Sequence, residues 1–92
     1  MPAPLRSPNP SASLTTLREI LGYNVRAFRV AQKMSQEQLG FAAHLDRTFV
    51  SQVERARVNI SVDNIEKLAK ALELDPAMLF KRPTLVDQTG RP

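Results

Sequence analysis

Residues 34–55, MSQEQLGFAAHLDRTFVSQVER, read as two short capped helices joined by a tight turn. The Ser35 hydroxyl can accept from the free backbone N–H groups of the opening turn, and Gln38, three residues on, reaches back to complete a capping box. Leu39, Ala42 and Ala43 then form the buried side of the first helix. The chain bends near His44 and Leu45. Asp46 supplies a second N-cap, so a new helix starts at Arg47 and runs to about Arg55, with Val50 and Val53 facing inward.

The outer face of that second helix carries Arg47, Thr48, Ser51, Gln52 and Arg55, a hydrogen-bonding set with no carboxylate. Arg can fork onto guanine O6 and N7, Gln onto adenine N6 and N7, and a Thr methyl packs on the thymine methyl. Their place near the helix start suits a helix that enters the major groove by its N-terminus. Gln36, at the start of the preceding helix, can donate to a phosphate beside N–H groups that already attract anions. Phe49, between buried Val50 and exposed Thr48, has two readings, the core edge or the sugar–phosphate wall, and the second is favoured.

Working outward, the stretch from about Leu21 to Phe80 resembles the Cro/C1-type (XRE) helix-turn-helix family. The resemblance rests on Ser35-Gln36-Glu37-Gln38-Leu39, Val50-Ser51-Gln52-Val53-Glu54-Arg55, Asn59-Ile60-Ser61 and Leu68-Ala69-Lys70-Ala71-Leu72. The run Leu45 to Ser51, followed by Glu54-Arg55, is similar to the controller proteins of restriction–modification systems. The family pattern implies that Arg47, Thr48, Ser51 and Gln52 meet base edges or flanking phosphates. It puts Arg55, Arg57 and Asn59 near the backbone at the far end, and makes Glu54 structural, paired with a base of its own domain. There are departures: the turn has His44, and the end of the second helix has Ala56, where relatives commonly carry Gly. Val58 follows where a basic residue often contacts phosphate, and Arg57 is the candidate to take over. His tolerates left-handed backbone better than most residues.

The implied fold is all-α, a compact five-helix lambda-repressor-like domain. Its first helix starts at Thr16, three before Glu19 in a capping-box arrangement, with Leu17, Leu21, Val25 and Phe28 at near-helical spacing. Tyr23 reads as an exposed edge residue. Ser61 is placed to cap a fourth helix carrying Ile65, Leu68, Ala69 and Leu72 on one side. Asp75-Pro76 announces a short last helix, because Pro at the first helical position loses no needed hydrogen bond. Leu74, Met78, Leu79 and Phe80 at this end exceed what one turn must bury and are the candidate dimerisation residues. The alternative is that Leu79 and Phe80 complete the monomer core. Controller-type relatives imply a two-fold dimer built from the last two helices, holding two recognition helices about one turn of DNA, ~34 Å, apart.

The organisation expected is a disordered Pro-rich arm at 1–13, holding Pro2, Pro4, Pro8 and Pro10, a helix-turn-helix domain at 14–80 and a loose tail at 81–92. The formal charge of +4 fits a polyanionic partner. Its distribution is more telling. From Leu17 to Met34, Arg18, Arg26, Arg29 and Lys33 face only Glu19, whereas from Ser61 to Phe80 Lys67 and Lys70 are outnumbered by Asp63, Glu66, Glu73 and Asp75.

Zero cysteines remove a disulfide scaffold, a thiol nucleophile and cysteine-ligated metal. With one histidine, His44, neither a histidine metal cluster nor a Ser-His-Asp triad has material, and no phosphate-binding glycine loop occurs. No cofactor, metal or enzyme activity is expected. No apolar run approaches the ~20 residues of a membrane span, and no signal-peptide segment is evident, which points to a cytoplasmic protein of bacterial or phage origin. The expectation is a sequence-specific regulator of transcription that binds double-stranded DNA as a homodimer on a palindromic operator. It would act on RNA polymerase by occlusion or recruitment, as an autoregulatory controller, a phage-type repressor or an antitoxin. The second reading is an adaptor or coactivator that uses the same fold without reading bases. The polar, carboxylate-free recognition face discriminates against it.

Overall fold

The computed structural model describes residues 14–83. Expectations for residues 1–13 and 84–92 lie outside this range. Four α-helices occur among the described residues, α1 (Leu17–Ala31), α2 (Gln36–Ala43), α3 (Arg47–Glu54) and α4 (Val62–Leu72), followed by a 3-10 segment, Pro76–Phe80. No strand occurs among them.

Each start is set by a side-chain cap. The Thr16 hydroxyl accepts from the Glu19 N–H, and the Glu19 carboxylate accepts in return from the Thr16 N–H. Ser35 and Gln38 form the same reciprocal pair at 2.7 and 3.0 Å. Asp46 accepts from Thr48 N–H, Ser61 from Asn64 N–H and Asp75 from Ala77 N–H.

The ends share a different device. Lys33, His44, Ala56 and Glu73, one after each α-helix, all sit in left-handed backbone at φ 59–62°. Beyond each, the next N–H turns back on the helix: Met34 to Arg29 O, Leu45 to Gly40 O, Arg57 to Gln52 O and Leu74 to Ala69 O, at 2.8–3.1 Å. These are Schellman closures, normally built on Gly. None of the four has it here.

The core gathers Leu21 and Val25 of α1, Leu39 and Ala43 of α2, Val50 and Val53 of α3, Leu68, Ala69 and Leu72 of α4, and Leu79. Two close approaches let the helices meet. A Cβ at Gly22 would lie 2.6 Å from Val53 O and 2.8 Å from Glu54 O, so α1 crosses the end of α3 backbone to backbone. A Cβ at Gly40 would lie 2.6 Å from Leu45 O, which seats the turn directly on α2.

The structure corrects several expectations. Leu17 is 66% exposed and Ile20 is buried in its stead, because nothing packs under the outer side of the first turn of α1. Ala42 is exposed, since α2 meets the turn through Gly40 and Ala43 and turns residue 42 away. The fifth helix is a 3-10 segment of five residues rather than an α-helix. Five residues are too few to offset the cost of α-helical nucleation. Its end is fixed from outside, by the buried Asn24 amide donating to both Leu79 O and Lys81 O at 2.8 Å. The same contact, with Arg82 Nη1 donating to Leu14 O, ties down residues 81 and 82, at the start of the expected loose tail.

Candidate nucleic-acid interface

Helix α3 splits into two faces. Phe49, Val50, Val53 and Glu54 turn toward the domain, with Val50 and Val53 fully within the core. Arg47, Thr48, Gln52 and Arg55 are exposed on the other face and Ser51 is half-buried between them. The structure therefore brings five of the expected base- or phosphate-facing residues onto one surface, with only a long 3.5 Å contact from Arg55 Nη1 to Ser51 Oγ among them. Phe49 is half-buried and packs against the core edge, the first of the two readings given for it. It stands one turn before Val53 and so extends the buried stripe.

Glu54, the one carboxylate of α3, is withdrawn from the outer face. Arg29 Nε donates to its Oε2 at 2.7 Å, Arg29 Nη2 to its Oε1 at 3.0 Å, and Gln36 Nε2 to its Oε1 at 3.0 Å. Arg29 Nη1 also donates to Met34 O at 2.8 Å. The pairing expected for Glu54 is present, and the network fixes α1, the start of α2 and the end of α3 to one another. Gln36 is thus partly committed inside the protein. Its amide nitrogen carries two hydrogens, and one remains beside the α2 N-terminus for an outside acceptor.

Arg57 and Asn59 are exposed in the loop after α3. Arg57 lies directly behind Ala56, whose left-handed backbone turns the chain there. The residues expected at a dimer interface divide. Leu79 is fully buried in this chain's own core, which removes it from that set, because the 3-10 segment turns it onto α1 and α4. Leu74 and Phe80 are half-buried, and Met78 is 39% exposed. Phe80 borders an open cleft of about 250 Å³ with Leu17, Ile60 and Ile65.

Arg29 was not singled out from the other bases of α1 by sequence reasoning. A signal was present: it follows Leu21 and Val25 at four-residue steps, so a charge occupies a position of the apolar stripe and calls for an internal partner. No group of three or more His, Cys, Asp or Glu side chains able to hold a metal occurs among the described residues. No helix among them is long and apolar enough to cross a membrane.

Two capped helices locked through a left-handed turn, the second with a buried stripe and a polar outer face, define the helix-turn-helix class of fold. The chain belongs to the Cro/C1-type helix-turn-helix family, whose model matches residues 25–79. It is 51% identical to a hypothetical transcription factor of Neisseria meningitidis over 73% of this chain and 63% of that protein. The solved structure of that Neisseria factor superposes with a TM-score of 0.71 over 73% of this chain and 75% of that one. The chain thus spans less than two-thirds of that relative's full length. It is 43% identical to the control protein C.BamHI of Bacillus amyloliquefaciens over 75% of this chain and 86% of that protein. The restriction–modification controller C.Esp1396I, solved as a tetramer with its natural 35-base-pair operator, gives a TM-score of 0.66 at 28% identity, over 73% of this chain and 88% of that one.

Proposed function

We propose that this chain is a transcriptional regulator that binds double-stranded DNA in a sequence-specific way, as a dimer on a palindromic operator. The observation that carries the reading is the sorting of charge on α3. Its outward side offers Arg47, Thr48, Ser51, Gln52 and Arg55, while its one carboxylate faces inward and is neutralised by Arg29. An unpaired carboxylate on the outer face would repel phosphate. The likeness to C.BamHI over most of that protein's length favours a controller-type role over a phage-type repressor.

In this reading Arg47 and Gln52 read base edges, while Gln36, Arg57 and Asn59 hold phosphates on either side. Leu74, Met78 and Phe80 form the surface for the second copy. An operator over a promoter would exclude RNA polymerase and one upstream would recruit it, in the compartment where DNA and polymerase meet.

The test is selection of binding sites from randomised duplex DNA at near-physiological salt, repeated on the strongest site with Arg47→Ala and Gln52→Ala. A palindrome with half-sites about one turn apart is expected, each variant losing about 1–3 kcal/mol of preference at its own base pair. Enrichment of no sequence would overturn the proposal in favour of an adaptor.

A further inference from the structure

Three arginines, Arg18, Arg26 and Arg29, give α1 its positive charge, and the structure separates their roles. Arg29 is spent internally on Glu54 and Met34 O. Arg18 lies on the same face of the helix as Arg29. At 3.6 residues per turn Arg18, Gly22, Val25 and Arg29 fall within about 60° of one another. That face meets the end of α3, through Gly22 against the Val53 and Glu54 carbonyls and through Arg29 on Glu54. Arg18 is one turn further out than Gly22, past the end of α3, and there it lines a cleft with Asn59 and Ile60 of the following loop. It is exposed and, among the described residues, has no hydrogen-bond or ion-pair partner.

We infer that Arg18 and Asn59 together form a binding site for a DNA backbone phosphate at the edge of the recognition surface. The inference rests on the DNA-binding reading above and assigns α1 a direct contact with the duplex. A duplex lying along the outer face of α3 passes the loop that leaves its C-terminal end, where Arg57 and Asn59 are exposed. The cleft there pairs a guanidinium, able to fork onto two phosphate oxygens, with a neutral amide able to donate one more bond. No carboxylate lines it, and its remaining walls are the apolar Leu17, Leu21, Ile60, Ile65 and Phe80, so Arg18 and Asn59 are its two polar groups. Arg26, turned to the side of this face, takes no part. The contact reads no base, so it strengthens binding to every sequence alike.

The experiment measures affinity against salt concentration for the selected operator and for a scrambled duplex, using the full chain and its Arg18→Ala, Arg18→Lys and Arg26→Ala variants. Oligomeric state is followed by sedimentation and folding by circular dichroism. Arg18→Ala should weaken both duplexes by the same factor and flatten the log–log salt slope by about 0.9 per subunit. Arg18→Lys should restore most of the slope, and Arg26→Ala should leave it unchanged. Ethylation of operator phosphates should identify one position per half-site whose modification weakens the parent protein and not Arg18→Ala. An unchanged slope in Arg18→Ala would overturn the site while leaving the regulator reading intact. A variant altered only in self-association would reassign Arg18 to the subunit seam and equally overturn it. Failure of the parent protein to bind either duplex would instead remove the reading on which the site rests.

Discussion

Arg29 grips both carboxylate oxygens of Glu54 across 25 residues of sequence, at 2.7 and 3.0 Å, with side-chain exposures of only 11% and 3%. A pair this enclosed is stable only while complete, because either charge left alone is desolvated without compensation. Arg29→Ala should therefore cost about 3–5 kcal/mol in urea unfolding. The double variant Arg29→Met with Glu54→Leu, which removes both charges, should regain most of that stability. It should still bind DNA less well than the parent, since Gln36 loses the acceptor that orients it. Equal stability of the single and double variants would show that the charge pairing is not what matters.

Left-handed backbone at residues with a Cβ costs about 1–2 kcal/mol, and a Gly placed there gives back about 0.4–1 kcal/mol through the freedom it adds to the unfolded chain. Lys33→Gly and Glu73→Gly should therefore each stabilise the domain by up to about 1 kcal/mol. Lys33→Ala, which keeps the strained geometry, should give no comparable gain. Thermal unfolding of the three variants separates strain relief from loss of the lysine charge.

Asn24 has only 7% of its surface exposed and satisfies two carbonyl oxygens at once. Asn24→Ala should leave both without their donor and cost about 1–3 kcal/mol. Because those carbonyls end the 3-10 segment, the variant should also release Met78 and Phe80. Dimerisation measured by sedimentation should weaken more in this variant than DNA-reading preference changes.

The Glu19 carboxyl is held below its ordinary value of 4.5, first by the Thr15 N–H and then by the Thr16 N–H. A lowered folded-state pKa means the stabilisation is complete above the unfolded value and is lost as pH falls through the folded one. The start of α1 should stay intact from neutral pH down to about 5 and fray as pH falls further, through the lowered folded-state value. The Thr15 and Thr16 amide resonances should titrate with a midpoint under 4.5, and in Glu19→Gln they should not.

Much of this architecture is written locally. Thr16, Ser35, Asp46, Ser61 and Asp75 each stand where a helix begins, because a cap is a contact between residues two or three apart. The outer face of α3 follows from one helix's periodicity, and the unusual turn residues His44 and Ala56 could be noticed against a family pattern. Lys33 and Glu73 could not, since nothing in either side chain signals positive φ. Contacts between distant segments were the least legible. The choice of Arg29 over Arg18 or Arg26 as partner of Glu54 depends on how α1 crosses α3 at Gly22. The fate of Leu79 depends on an amide 55 residues away. Phe49 could be placed at the core edge only when α3 was seen against the core, onto which it packs half-buried.

The four helix ends without glycine have an evolutionary corollary. At least two of these corners, Lys33 and Glu73, lie apart from the residues assigned to base reading, and each holds relievable strain. A lineage altering Arg47 or Gln52 to follow a changed operator can accept a destabilising substitution on α3 and recover it by a single change to Gly at a corner that touches no base. Drift in specificity and upkeep of the scaffold can then proceed at separate addresses in the gene, which lets one small domain diversify its targets while its shape stays constant.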